Sequence, residues 1–228
     1  MFIAADHGDD QLSWQEFTEA LGGAVPTWRA LAESYPETLL TLSENRLPDG
    51  TAGEAWRLFE EAVADGLEFL FGRRVHRLGG GRRGSTVSDM VAQLPNLDLL
   101  VVDAKAAKDG FDAGWPAMRP LGEYLERQIH RQRGQNRVIG AVVVSSRFLQ
   151  DGDALRDLSL RFNAEFGATV AFMLAEVLVE AVHACRVVPR TRNALRWNQV
   201  FAGGLLESSR LAREIAQAVD ERYGGAEG

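Results

Sequence analysis

Apolar residues in the first part of the chain recur at helical spacing. Ser13 and Glu16 form a capping box before one such stretch, and Pro26 and Pro36 suit the first turns of two further helices. A longer helix is predicted from about Glu54 to Phe71, because four apolar residues form one stripe along it: Phe59, Val63, Leu67 and Leu70. The chain is therefore expected to begin with helices.

The hydrophobic pattern changes after residue 71. Residues 72–84 are rich in glycine and arginine and are predicted to form a loop. The stretches 85–94 and 97–106 have the apolar pattern of strands, and the short turn between them predicts a β-hairpin. The spacing of apolar residues therefore changes from the helical period to that of strands.

The second half of the chain continues this alternation of helices and strands. A helix is predicted at about 117–131, and the β-branched run at 137–146 is typical of a buried central strand. The other predicted elements are helices at about 151–165, 168–184 and 207–223 and a short strand at 185–188. This order predicts an α/β fold in which a mixed β-sheet is flanked by helices.

A turn-rich stretch at residues 47–53 divides the predicted elements into two groups. We therefore predict a small helical N-terminal segment at 1–50 and a larger domain at 51–228. Charge is divided in a similar way. Residues 1–61 hold 12 acids and 3 bases, whereas residues 62–228 hold 20 acids and 22 bases. The net charge of −7 therefore describes an acidic segment on a mildly basic body, and it does not exclude a nucleic-acid partner.

The composition is that of a globular protein, with 46% apolar and 25% charged residues. A single cysteine excludes a disulfide framework and a cysteine-based metal site, which favours a reducing, cytoplasmic location. No secretory signal is expected at the acidic N-terminus, and Glu176 and Glu180 interrupt the most apolar stretch. We therefore predict no membrane-spanning segment.

Asp103 and Lys105 lie two residues apart on the second strand of the predicted hairpin, so their side chains project from the same side. Asp89, on the preceding strand, reaches that side if the hairpin register places it beside Asp103. Two carboxylates beside an ammonium suit a hard divalent cation such as Mg²⁺. Lys105 and Lys108 are the only lysines among 25 basic residues, which favours a specific role for Lys105. The alternative is a surface ion pair on an edge strand.

Asp89 followed by Asp103-Ala104-Lys105 resembles the motif of PD-(D/E)XK nucleases. The surrounding sequence is similar to one branch of that superfamily, the FokI-type restriction endonuclease cleavage domains. The resemblance rests on four stretches between residues 67 and 148: LEFLFGRRVHRLGGGRR, LDLLVVDAKAAKDGF, GEYLERQ and GAVVVSSRF. The proline that precedes the first acid of the motif is replaced here by Ser88.

The resemblance implies roles for individual residues. Asp89 and Asp103 would bind the metal ion, Mg²⁺ or Mn²⁺, together with the backbone carbonyl of Ala104, and Lys105 would be the catalytic lysine. Glu68 is a candidate for an additional metal-binding carboxylate, or simply a solvated helix acid. Five arginines would contact the DNA backbone or form a solvated loop: Arg73, Arg74, Arg77, Arg82 and Arg83. Arg119 and Glu123 would pair across a homodimer interface or within their own helix.

Together these features predict a Mg²⁺-dependent DNA endonuclease. Residues 1–50 are short and acidic and contain no helix-turn-helix or zinc signature. Target choice would therefore come from a recognition or regulatory partner subunit, or the enzyme would act non-specifically, as in defence against foreign DNA. One alternative is an RNase on the same scaffold, because the metal chemistry does not depend on the 2′-hydroxyl. Another is a nuclease-like subunit without catalytic activity that serves assembly.

Overall fold

The computed structural model describes residues 31–72, 75–77, 89–131, 137–189, 192 and 195–223. The helices within these ranges are α1 (Tyr35–Ser43), α2 (Ala55–Phe71), α3 (Trp115–Arg131), α4 (Gly152–Phe166), α5 (Ala175–Val187), α6 (Trp197–Val200) and α7 (Ser208–Tyr223). The strands are β1 (Val75–Arg77), β2 (Met90–Gln93), β3 (Leu99–Lys105), β4 (Val138–Ser145), β5 (Thr169–Leu174) and β6 (Gly204–Leu206).

The six strands form one sheet in the order β1-β2-β3-β4-β5-β6. β1, β2 and β3 pair in antiparallel fashion, whereas β3 to β6 run parallel to one another. Helices connect the parallel strands β3, β4 and β5, as parallel pairing requires. The predicted α/β fold, a mixed sheet flanked by helices, is confirmed.

Each face of the sheet carries its own hydrophobic core. On one face, α1, α2 and α5 bury side chains such as Leu39, Phe59 and Leu178 against the sheet. On the other face, α3 and α4 bury side chains such as Tyr124 and Phe162. The central strands contribute to both cores because successive side chains point to opposite faces. The sheet is therefore covered on both sides along its central strands.

The predicted helix at 168–184 is wrong. Residues 169–174 form strand β5, and α5 begins only at Ala175. Val170, Ala171 and Phe172 are fully buried, so this stretch is a continuous apolar run, whose period does not separate a buried strand from a buried helix. Gly167 ends α4 in the left-handed region at φ 65°, which leaves the chain free to turn into the sheet.

Three shorter elements also differ from the prediction. Residues 185–187 complete α5 and do not form the predicted strand. β1 occupies part of the stretch predicted as a loop, and β6 was not predicted at all. Both unpredicted strands are only three residues long, and a strand of that length leaves little alternation in the sequence.

The predicted boundary at residue 50 lies in the connection between α1 and α2. α1 packs on α2 and α5, and its residues Tyr35, Leu39 and Leu42 belong to the core that α2 also lines. Residues 1–30 lie outside the described part, so the division into two units stays a prediction. Among the described residues, no helix is both long and apolar enough to cross a membrane.

Candidate active site

The hairpin register brings the predicted acids together. β2 and β3 pair with Met90 opposite Val102, so the next position of the antiparallel ladder sets Asp89 beside Asp103. Asp103 and Lys105 lie near the end of β3, two residues apart and on one side of the strand. The geometric condition on which the prediction depended is therefore met.

Asp89, Asp103 and Lys105 form a compact group, which we call the acid–lysine cluster. Lys105 Nζ lies 2.6 Å from Asp103 Oδ1 and 3.8 Å from Asp89 Oδ2. The backbone N–H of Ala104 donates a hydrogen bond of 2.8 Å to Asp89 Oδ2. These contacts fix both carboxylates relative to the backbone of β3, and the half-buried Lys105 side chain leaves the cluster open to solvent.

The neighbouring strand β4 holds the end of β3 in place. Lys105 lies opposite Ser145 in the parallel ladder, and the Ser145 hydroxyl donates a hydrogen bond of 2.7 Å to the Lys105 carbonyl. One position further, the Ser146 hydroxyl donates to the carbonyl of Ala107 at 2.8 Å. The backbone on which Lys105 stands is therefore tied to the centre of the sheet.

Burial, followed by the nearby charge of Asp103, raises the pKa of Asp89 to about 9. A hydrogen bond between the two carboxyl groups acts in the same direction. Two carboxylates held this close repel each other, and binding of a proton or another cation to the pair relieves that repulsion. Both burial and the neighbouring carboxylate thus disfavour a second uncompensated negative charge at this position.

At Lys105, burial and the neighbouring charges shift the pKa in opposite directions. Burial alone would lower the pKa of its ammonium, but the carboxylates of Asp103 and Asp89 outweigh that effect and raise the pKa above its usual value. Lys105 is therefore protonated at neutral pH. Its Nζ donates a hydrogen bond to Asp103 Oδ1 and places a positive charge beside both carboxylates.

A third acid, Glu60 of α2, faces the cluster. The Glu60 side chain is nearly buried, and burial raises the pKa of its carboxyl while Arg77 and Lys105 lower it. Asp103 also interacts electrostatically with Glu60. Glu60 was not predicted from the sequence, although it lies one helical turn before Val63 and thus at a position of the apolar face, where an acid is unusual.

Glu68, the helix carboxylate proposed from the sequence, makes a different contact. Its Oε1 accepts a hydrogen bond of 3.1 Å from the backbone N–H of Val75. This contact ties the end of α2 to the beginning of β1. The helix acid that interacts electrostatically with the cluster is Glu60, and a metal-binding role for Glu68 stays a prediction.

The residues predicted to bind DNA or a second subunit are placed as follows. Arg77 forms ion pairs with Glu60 at 3.6 Å and Glu61 at 2.8 Å. The other four arginines of that stretch, Arg73, Arg74, Arg82 and Arg83, lie outside the described residues. Arg119 and Glu123 form an exposed ion pair of 2.9 Å within α3. Their part in a dimer interface stays a prediction.

The donor set of the acid–lysine cluster fits a magnesium ion. In the described part of the chain, no three His, Cys, Asp or Glu side chains converge as a metal-binding group. Mg²⁺ is nevertheless commonly bound by only one or two carboxylates, with waters and substrate phosphates as its other ligands. Asp89 and Asp103 supply those two carboxylates. The carbonyl of Ala104 stays a predicted further ligand.

Solved structures with a similar fold belong to a nuclease. The chain is similar to the restriction endonuclease FokI bound to DNA, with a TM-score of 0.58 and 18% identity over 79% of this chain. It is also similar to the restriction endonuclease FokI, with a TM-score of 0.52 and 19% identity over 72% of this chain. These matches cover 32% and 31% of the FokI chains, so this chain spans about a third of their length. No family model and no curated protein matches the sequence.

Proposed function

We propose that this chain is a metal-dependent endonuclease that hydrolyses the phosphodiester bonds of DNA. The observation that carries the proposal is the acid–lysine cluster, in which two acids and a protonated lysine converge at the end of two strands. The shared fold with FokI supports it, because one of the similar structures is of that protein bound to DNA. The PD-(D/E)XK assignment and the catalytic role of each residue are parts of this proposal.

Each residue of the cluster has a defined task in the proposed reaction. Asp89 and Asp103 hold the metal ion, Mg²⁺ in the first place and Mn²⁺ as a substitute. The ion acts as a Lewis acid that neutralises negative charge on the phosphoryl group. Lys105 directs its N–H groups at the oxygens on which charge develops in the transition state. Lys105 also orients the attacking water or helps to deprotonate it.

The proposed substrate is duplex DNA, bound mainly through its phosphate backbone. In the mildly basic remainder of the chain, arginines supply nearly all the positive charge, and guanidinium groups match the geometry of phosphate oxygens. We propose that target choice depends on a recognition or regulatory subunit, that two copies assemble to cut both strands, and that the protein acts in the cytoplasm. An interface through Arg119 and Glu123 belongs to the same proposal.

The two lysines of the chain provide a matched test. Lys105→Ala is expected to lower the cleavage rate by about 100- to 1000-fold, the usual effect of removing one charge-stabilising donor. Lys108→Ala removes the same charge from an exposed position and should change the rate by less than about twofold. The rates are measured on supercoiled plasmid with Mg²⁺, and EDTA should abolish cleavage by the wild type.

The same experiment separates the alternatives. Equal loss of activity in the two lysine variants would contradict the role of Lys105. Cleavage of structured RNA but not of duplex or single-stranded DNA would favour an RNase. If wild-type protein is inactive on every substrate, both with and without co-purified partners, a non-catalytic assembly role is favoured. In that case Lys105→Ala should leave the biological function intact.

A further inference from the structure

Arg77 links helix α2 to the edge strand beside the acid–lysine cluster. In the antiparallel part of the sheet, Arg77 lies opposite Met90, and Met90 lies opposite Val102. Asp89 and Asp103 occupy the next position along β2 and β3. Arg77 is therefore one residue along the ladder from the two proposed metal-binding acids, and its side chain lies on the face of the sheet that α2 covers.

The guanidinium of Arg77 is shared by two neighbouring glutamates in different environments. Nη2 lies 3.6 Å from Glu60 Oε2, and Nη1 lies 2.8 Å from Glu61 Oε1. The Glu60 side chain is 11% exposed and interacts with Lys105 and Asp103, whereas the Glu61 side chain is 38% exposed and also pairs with Arg57 at 3.6 Å. Only Glu60 therefore belongs to the electrostatic surroundings of the cluster.

The contact between Arg77 and Glu60 is loose and accessible from outside. The Arg77 side chain is 32% exposed, so an anion in solution can reach it. A separation of 3.6 Å is long for a charge-assisted hydrogen bond, which leaves the pair easy to part. As the structure stands, Glu60 does not complete a three-carboxylate group with Asp89 and Asp103 among the described residues.

We propose that Arg77 couples the binding of DNA to the binding of the divalent cation. In the free protein, Arg77 neutralises Glu60 and so weakens the attraction of the cluster for a metal ion. A phosphate of the bound strand takes over the guanidinium, and Glu60 then adds its negative charge to that of Asp89 and Asp103. This proposal rests on the proposed function, because it assumes that the cluster binds a metal ion and the neighbouring surface binds DNA.

Thermodynamic linkage fixes the sign of the effect. If phosphate on Arg77 strengthens metal binding, the metal ion must strengthen DNA binding by the same factor. Removal of the Arg77 guanidinium frees Glu60 permanently. The DNA-free protein should then bind the metal ion more tightly, and DNA should add less to that affinity than it does in the wild type.

The test compares metal and DNA binding in Arg77→Ala and the wild type. Isothermal titration calorimetry measures Ca²⁺ affinity of the DNA-free protein, and fluorescence anisotropy measures binding of a labelled duplex in EDTA and in Ca²⁺. Arg77→Ala is expected to raise the Ca²⁺ affinity about fivefold and to lower the Ca²⁺-dependent gain in duplex affinity by a similar factor. Arg77→Gln keeps much of the side chain and should change both affinities in the same way. It replaces Arg77→Ala in the test if that variant folds poorly.

Three further variants identify the path of the coupling. Glu60→Gln should lower the Ca²⁺ affinity, and in that background Arg77→Ala should raise the affinity by less than it does in the wild type. Glu61→Gln removes the adjacent carboxylate and should leave the Ca²⁺ affinity within about twofold of the wild type. Arg213→Ala removes an exposed arginine of α7 and controls for the loss of one positive charge.

Several results would overturn the coupling. One is an equal gain in Ca²⁺ affinity from Arg77→Ala with and without Glu60, which would be a general charge effect. Another is unchanged Ca²⁺ affinity with equally weaker duplex binding in EDTA and in Ca²⁺, as for a simple phosphate contact. Absence of Ca²⁺ binding by the wild type with and without duplex would also overturn it. Coupling without any cleavage would instead contradict the proposed function and leave the coupling standing.

Discussion

Cys185, the single cysteine of the chain, lies on the buried face of α5 and is 1% exposed. Burial raises the pKa of its thiol to about 11, although the charge of Arg192 acts in the opposite direction. A raised pKa leaves less of the reactive thiolate at any pH below it. At pH 8, the thiol of the folded protein should therefore react with Ellman's reagent at least about 100 times more slowly than that of the unfolded chain.

The pH dependence provides the control for this prediction. The rate for the folded protein should keep rising above pH 9, where the thiol of the unfolded chain approaches full ionisation. Equal rates in the folded and unfolded states at pH 8 would show that Cys185 is accessible and ordinary. A stable, unreactive thiol would agree with its packing in the core beside α2.

Individual residues of the candidate site differ in how far the sequence could predict them. Strand alternation was enough to place Asp103 with Lys105, because both lie on one strand. Asp89 depended on the register of a single hairpin, which the sequence left open and the structure supplies. Glu60 comes from a helix 29 residues before Asp89, and its approach depends on how α2 packs on the sheet. Local periodicity carries no information about that distance.

Among the elements, the parallel half of the sheet was harder to predict than the antiparallel half. β5 is buried on both faces, so its sequence has no alternation of polar and apolar residues. The following α5 is also largely apolar, and the two elements form one continuous hydrophobic stretch. In contrast, β4 was predicted correctly, since its β-branched residues are bounded in the sequence by a polar stretch and by serines. Clear boundaries in the sequence therefore made β4 predictable, whereas β5 and α5 could not be separated.

Gly140 in β4 shows how closely the parallel strands approach one another. Its φ is +154°, and a Cβ atom there would lie 2.4 Å from the carbonyl oxygen of Thr169 in β5. Gly140→Ala is therefore expected to lower the free energy of unfolding by about 1–3 kcal/mol, because the neighbouring backbone would have to move. Urea denaturation followed by circular dichroism measures this change.

Gly152 is the matched control for that substitution. It begins α4, and a Cβ atom there would lie 3.8 Å from Leu205, an ordinary contact distance. Gly152→Ala should change the free energy of unfolding by no more than about 0.5 kcal/mol. Equal effects of the two glycine substitutions would show that the close approach of β4 and β5 does not limit stability.

At the scale of the whole molecule, α1 and the sheet share one hydrophobic core. Leu39 of α1 is fully buried in that core, whereas the adjacent Leu40 is 39% exposed. Leu39→Ala should lower the free energy of unfolding by about 2–5 kcal/mol, as large core truncations do. Leu40→Ala should change it by no more than about 0.5 kcal/mol.

The form of the transition tests the predicted boundary at residue 50. If α1 and the sheet unfold together, tryptophan fluorescence and far-ultraviolet circular dichroism should report one coincident transition in the Leu39→Ala variant. Two separate transitions, with the second unchanged from the wild type, would show that residues 1–50 form an independent unit. The shared core favours the single transition.

The charge distribution of the whole chain bears on its affinity for DNA. Residues 1–61 hold an excess of nine acids, and part of that excess lies on α2 next to the proposed catalytic cluster. Acids near a DNA-binding surface lower its attraction for phosphate. We therefore expect DNA binding by the isolated chain to be weak and sensitive to salt. Composition alone predicted the charge, but only the fold places Glu60 and Glu61 against Arg77.

The two outer strands of the sheet restrict how copies of the protein can assemble. Among the described residues, β1 and β6 form the edges, and each contributes three residues to the sheet. A short edge offers few free backbone groups to a strand from another molecule, which limits uncontrolled growth of the sheet. Within the described part of the chain, the edges therefore offer little to strand addition, and the helix surfaces are the larger areas on which an assembly can form.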